Sequence, residues 1–136
     1  MAGEMTLWRA FEQVVFAGPV EALRAWSEGT FFILTAHNPG GVVRDAAANL
    51  RADLLLQAAL AGCDRLPAAG CSPDLAHRED GWAVRLESRE QALELARRFG
   101  QLAWYEVRRG GLFLVDAEGR RPDAALGRFA SRLRED

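Results

Sequence analysis

Thr35, His37 and Asn38 stand at the end of the clearest strand signal in the chain, the apolar run Phe31-Phe32-Ile33-Leu34-Thr35-Ala36. Asn49 follows in the first turns of a predicted helix, where free N–H groups and the helix dipole favour an anion. Gln101 begins the strand after a second predicted helix. Clefts beyond strand ends commonly hold ligands. Together with Glu79, these residues form the candidate ligand-binding set. Each also has a structural use. An Asn before Pro can close an Asx turn. Asn49 could pin that turn to its helix, and Gln101 could cap the carbonyls freed at Gly100.

The reactions open to this set are few. His37 could serve as a general base, oriented by Glu79 or Asp45. No Ser or Cys sits in a nucleophile elbow, and no third partner is evident, so no catalytic residue is assigned. A metal site from Cys63, Cys71, His77 and His37 fails on spacing, since zinc ligands come in pairs two to four residues apart. The loop holding Asp74, Glu79 and Asp80 lacks the alternation of a calcium loop. His37-Asn38-Pro39-Gly40-Gly41 lacks the Gly-Lys-Ser/Thr end of a phosphate loop and the third Gly of a dinucleotide fingerprint. No cofactor and no metal are expected.

The leading functional reading is a non-enzymatic ligand-binding or regulatory module near the Asn38 turn. One alternative is a small hydrolase or nucleotide-processing enzyme using His37 and Glu79. Another is a homodimer or protein-partner module.

The 136 residues fit one domain, with about half hydrophobic and a quarter charged. A chain of this size buries about two-thirds of its unfolded surface and needs no disulfide or metal to fold. All 17 basic side chains are Arg. Arg recognises phosphate and carboxylate well, but acidic residues are interspersed and the net charge is -2, which argues against a general nucleic-acid footprint. No apolar stretch approaches the ~20 residues of a membrane span. Without a leader-like segment, a cytoplasmic protein with reduced Cys63 and Cys71 is expected.

The elements that must position the site follow from periodicity. Leu7, Phe11 and Val14 suit a helix, although Gln13-Val14-Val15-Phe16 reads equally as strand. Pro19 opens a short helix through Leu23 and Trp26. Asp45 caps a long helix whose apolar stripe is Leu50, Leu54, Ala58 and Ala61, widened by Leu55. Cys63 to Cys71 reads as a short strand interrupted by Pro67. Asp80-Gly81 is a hairpin-type turn before the strand Trp82, Val84, Leu86. Ser88-Arg89-Glu90-Gln91 is a capping box opening a helix that turns Ala92, Leu95, Ala96 and Phe99 inward. Strands over Leu102–Val107 and Leu112–Val115 join at Arg109-Gly110-Gly111. A last helix, 122–134, places Leu126, Phe129 and Leu133 on one side.

The core order strand, helix, strand, strand, helix, strand, strand matches a split βαβ arrangement. The expected fold is α+β: a mostly antiparallel single-layer sheet with helices packed on one face, ferredoxin-like or a related sandwich. If only one face is covered, Trp104 or Tyr105 is exposed, because neighbouring strand residues point to opposite faces. Such an aromatic, near Arg85, Arg108 and Arg109, would suit base stacking or a dimer contact.

Ile33 to Pro39, Asn49 with Arg51 on a Leu-rich helix, and Phe99-Gly100-Gln101 followed by Ala103 resemble an uncharacterised bacterial family, the domain-of-unknown-function family DUF3293. The resemblance spans about Phe31 to Val115, leaving an N-terminal helical segment (4–28) and the C-terminal helix outside. His37 stands where that family more usually has an aromatic residue. Glu79-Asp80-Gly81 stands where Glu-Pro-Ser is usual, so only Glu79 carries over. Arg51 joins the candidate set on this basis alone. The family implies a fold grouping and a list of positions, and no activity.

Overall fold

The computed structural model describes residues 2–136, apart from the side chains of Ala2 and Glu4. In chain order it forms α1 (Ala2–Glu12), β1 (Val15–Ala17), α2 (Val20–Trp26) and β2 (Thr30–Thr35). A 3-10 turn (Pro39–Gly41) leads to α3 (Ala46–Ala59), β3 (Arg65–Pro67), β4 (Ala69–Cys71), β5 (Arg78–Glu79) and β6 (Gly81–Val84). Then come α4 (Arg89–Arg98), β7 (Ala103–Arg108), β8 (Gly111–Asp116), β9 (Ala124–Arg128), a second 3-10 turn (Phe129–Arg132) and β10 (Leu133–Arg134).

The six-stranded sheet has the order β3-β6-β2-β7-β8-β9, and every neighbouring pair is antiparallel. The strands β2, β3, β6 and β7, with α3 and α4 between them, make the expected split βαβ unit. β8 and β9 extend it on one side. β2 is buried on both faces, as its unbroken apolar run requires. Phe32 and Leu34 meet Leu56 and Leu60 of the α3 segment and Ala92 and Ala96 of α4. Phe31 and Ile33 point the other way, into a core with Phe16, Leu23 and Phe129.

That second face is covered by a smaller sheet, β10-β1-β4-β5, together with α2. Trp104 is buried on the helix side and Tyr105 packs on the other, so the sheet leaves neither as an open stacking platform. Arg108 is held by Glu106 and Asp123, and Arg85 lies over Trp26. The α+β class stands; the expectation of a bare sheet face does not, because β1 and β10 supply apolar residues that cover it.

One bent ribbon links the two sheets. β3 pairs with β6 in the large sheet, and β4 pairs with β5 in the small one. Ala68 on one arm and Asp80 on the other mark the crossing, where the Ala68 N–H donates to the Gly81 carbonyl. Asp80-Gly81 is therefore not the hairpin turn. The turn lies farther out, at Ser72–His77, closed by Ser72 N–H on the His77 carbonyl. Gly81 is needed because a Cβ there would sit 2.5 Å from the Leu34 carbonyl oxygen and 3.2 Å from that of Ala68.

Two further expectations are corrected. The inner face of α3 is Asn49, Asp53 and Leu56, while Leu50, Leu54 and Leu55 are exposed. A helix can bury only one arc, and buried hydrogen bonds at Asn49 and Asp53 select this one. The C-terminal helix 122–134 does not form. Gly127 adopts φ +88°, the Phe129 N–H bonds the Gly110 carbonyl, and Leu133 pairs with Phe16 on β1. The 3–4–residue spacing of Leu126, Phe129 and Leu133 is met by a strand, a turn and a strand that bury Phe129 and Leu133 between the sheets. Tertiary pairing outweighs local helix propensity here.

The Gly81 contact yields a stability prediction. Gly81→Ala should cost about 3 kcal/mol, because both neighbours are backbone and cannot move aside. Gly3→Ala, in an open helical position, should be neutral or stabilising by up to about 1 kcal/mol. Urea denaturation of the two variants checks the contrast.

Candidate functional site

β2 ends at Thr35, and the chain then enters a strained corner. Asn38 is buried at φ 49°, ψ 58°, in the left-handed region that Asn tolerates better than most residues. Its backbone N–H donates to Asn49 Oδ1 (3.0 Å), and Asn49 Nδ2 donates back to Asn38 Oδ1 (3.0 Å). The Arg44 N–H donates to the same Asn38 oxygen at 2.9 Å. Asn38 Nδ2 donates to Glu79 Oε2 at 2.9 Å. One side chain thus ties the end of β2 to α3 and to the far arm of the ribbon.

Gln101 completes the corner. Its Nε2 donates to the carbonyls of His37 (3.0 Å) and Phe99 (3.2 Å), and the Gly40 N–H reaches the Gly100 carbonyl. Thr35 Oγ1 donates to the Asp80 carbonyl and accepts from the His37 N–H. The structural uses foreseen for Asn49 and Gln101 are both realised, and Gln101 reaches His37 as well.

These groups border a cavity of about 320 Å³. Its walls are mostly apolar: Leu7 and Phe11 of α1, then Val14, Ile33, Leu102 and Tyr105. Its polar end holds Thr35, Asn38, Ser72, His77, Glu79 and Gln101. His77 Nε2 lies 3.1 Å from Glu79 Oε2, so that oxygen serves both His77 and Asn38. Glu79 Oε1 and Gln101 Oε1 accept no hydrogen bond among the described residues. Tyr105 donates to the Phe11 carbonyl at 2.6 Å. Burial, reinforced by the Glu79 charge, pushes its phenol far up, so it stays a neutral donor. Cys71 also lines the cavity, and burial pushes its thiol up, which makes it a poor nucleophile.

Of the candidate residues, Thr35, Asn38, Glu79 and Gln101 share the cavity wall. Asn49 is buried just behind and positions Asn38. His37 does not line the cavity; the histidine bonded to Glu79 is His77. Arg51 lies exposed on α3 and is absent from the wall. The sequence offered His77 only as a metal ligand and Tyr105 only as a sheet-face aromatic, and α1 stood outside the candidate set. Two polar residues on the inner arc of α3 were a readable signal, because Asp53 follows Asn49 by one helical turn. Buried Asp53 accepts from Trp82 Nε1 (3.0 Å) and Gln57 Nε2 (2.9 Å). No group of three or more His, Cys, Asp or Glu residues suited to a metal ion occurs among the described residues.

A second charged cluster lies on the helix side of the large sheet and is internally paired. Buried Glu106 receives Trp104 Nε1–H, Arg89 and Arg108. Both Arg residues also hold Asp123. Burial works against the Asp123 charge, but hydrogen bonds from Arg108 and Arg89 outweigh it and hold this carboxyl below its usual range.

A profile described as DUF3293, protein of unknown function, matches residues 34–103. That stretch contains β2's end, α3, the ribbon, α4 and Gln101, the whole polar corner. No curated protein and no solved structure matches the chain.

The asparagine pair gives the second prediction. Asn49→Ala should cost about 2 kcal/mol by leaving the buried Asn38 groups unpaired. Asn38→Gly should cost a similar amount, and Asn38→Ala about 1 kcal/mol more from left-handed strain. Chemical denaturation of the three variants measures the order.

Proposed function

The chain belongs to DUF3293, a family defined without an activity, and we propose that it is a non-enzymatic module binding a small ligand with an apolar body and a hydrogen-bond-donating, preferably ammonium, head. The carrying observation is the imbalance at the polar end of the cavity. Asn38 donates to Glu79, Gln101 Nε2 to backbone, and Thr35 to Asp80. The oxygens left over, Glu79 Oε1 and Gln101 Oε1, can only accept. A ligand group bearing N–H or O–H complements them, and the Glu79 carboxylate favours a positive one. Apolar walls with a few convergent polar groups are the usual make-up of a small-molecule site.

The absence of a nucleophile among the described groups around the cavity supports binding over turnover. Ser72 Oγ donates to Asp74 Oδ1 and accepts the His77 N–H; hydrogen bonds from Ser72 and the Ala76 N–H hold the Asp74 carboxyl below its usual range, which makes it a poor base for that hydroxyl. In place of a His37–Glu79 acid–base pair, Glu79 Oε2 is engaged by His77 and Asn38.

Titration with n-hexylamine and hexanoate, followed by methyl NMR, tests the reading. The amine should saturate and shift the Leu7, Ile33 and Leu102 methyls, with hexanoate about tenfold weaker or worse. Glu79→Gln keeps an acceptor for Asn38 but removes the charge, and should weaken the amine about tenfold. Saturating amine should also slow reaction of Cys71 with a thiol reagent in a Cys63→Ser background. Equal affinity for both compounds, or an unaffected Glu79→Gln variant, would refute the proposal.

A further inference from the structure

We infer that His77 is the specificity-determining residue of the cavity: neutral, it lets the site prefer an ammonium head, and protonated, it cancels that preference. The inference rests on the ammonium reading of the site and adds what controls it. His77 lines the cavity, and its Nε2 lies 3.1 Å from Glu79 Oε2. The other oxygen of the same carboxylate, Oε1, is the one left to accept from a ligand.

A carboxylate only accepts, so neutral His77 carries its proton on Nε2 and donates it to Glu79. The next proton goes to Nδ1. That atom has no hydrogen-bond partner among the described residues, and the His77 side chain is 55% exposed, so water can deliver the proton. The hydrogen bond to Glu79 holds in both states. Only the charge changes, and no part of the fold has to move. An ammonium on Glu79 Oε1 stands roughly 5–6 Å from the ring nitrogen on the opposite oxygen. Like charges that close at a partly solvated site weaken binding about fivefold. Protonated His77 and Glu79 also form a neutral pair, which removes the net charge that favoured a cation.

Among the described residues around the cavity, the other titratable groups keep their charge in the same window. Those on the wall besides His77 are Cys71, Glu79 and Tyr105. Burial pushes Cys71 and Tyr105 up, which keeps both neutral. On the ribbon, hydrogen bonds from Ser72 and the Ala76 N–H hold Asp74 low, and Arg78 is bound by Asp136 and Asp80. The Arg78 guanidinium holds the Asp136 carboxyl low in turn. Glu12 and Arg132 bring charges to the Tyr105 side. Arg44 meets the corner through its backbone N–H. His37, the other of the two histidines, lies outside the wall. Carboxylates ordinarily ionise below about pH 5, and histidine is the side chain that changes charge above it. Affinity for an ammonium is therefore full above the histidine range and is lost as the pH falls through it.

n-Hexylamine and hexanol separate charge from shape, since the amine stays protonated in this range and the alcohol stays neutral. Titrations of the full chain at about pH 7.5 and about pH 5.5, followed by the Leu7 and Ile33 methyl resonances, should show the amine about fivefold weaker at the lower pH and hexanol unchanged. His77→Gln keeps a donor for Glu79 without a titrating ring, and its amine affinity should be the same at both pH values. His37→Gln should retain the wild-type dependence. By reciprocity, saturating amine should make His77 about fivefold harder to protonate, read from its ring C–H resonances. Equal amine affinity at both pH values, hexanol weakening in step with the amine, or a His77→Gln variant that keeps the dependence overturns the inference and leaves the ammonium reading standing. An amine that does not bind at the higher pH overturns both.

Discussion

Asn38 is held in a left-handed backbone conformation by three neighbours, and the polar corner exists only while they hold it. A buried amide of this kind must be matched on every side, since an unmatched donor or acceptor costs about 1–3 kcal/mol. Asn49 matches it from α3, Arg44 from the connecting loop, and Glu79 from the ribbon. The three come from segments that share no local structure. Their meeting therefore fixes how α3 and the β5 arm sit relative to the end of β2. The ribbon can deliver Glu79 there because Gly81 lets the chain cross between sheets without a side chain in the way.

The same requirement separates the groups that fasten the turn from those the proposed ligand would meet. Donors around the corner are engaged with protein acceptors, while one oxygen each of Glu79 and Gln101 is not. The proposed site is thus a by-product of a scaffold: the fastening of a strained turn leaves a surplus of acceptors beside an apolar hollow. α1 forms part of the hollow's roof through Leu7 and Phe11. It is tied down at its C-terminal end, where Tyr105 reaches the Phe11 carbonyl and Arg132 donates to the carbonyls of Glu12 and Val14.

Arginine supplies the remaining order in a chain without lysine. Arg85, Arg108 and Arg121 lie over Trp26, Phe113 and Trp8, each guanidinium carbon 4.2–4.3 Å from the ring centre. Arg132 bridges three backbone carbonyls from two parts of the chain. A guanidinium can stack face-on over a ring and fork its five donors between separated carbonyls, whereas a lysine ammonium is a compact point charge without that plane. Arg is well suited to phosphate and carboxylate ligands; the fold directs many of these side chains to its own rings, carbonyls and carboxylates.

How far the sequence could be read follows from the range of each interaction. Strand β2, the Asp45 cap of α3, the Ser88 cap of α4 and the split βαβ order were legible, because caps and hydrophobic runs act within a few residues. So were the identities of Asn38, Asn49, Glu79 and Gln101 as a polar group worth placing together. The buried arc of α3 was not legible. Its leucines imply one inward face, yet Trp82 and Asn38 reward the opposite one, where Asn49 and Asp53 stand. Nor was the exchange of His37 for His77 beside Glu79, which depends on where the ribbon bends. The C-terminal segment read as a helix because Leu126, Phe129 and Leu133 keep helical spacing. Only a strand already in place at β1, far away in the chain, made pairing the better use of Leu133. Sequence by itself determined what each segment could become and which polar residues needed partners; tertiary structure decided which face was buried and who met whom, because those choices are settled by contacts between segments that no local pattern encodes.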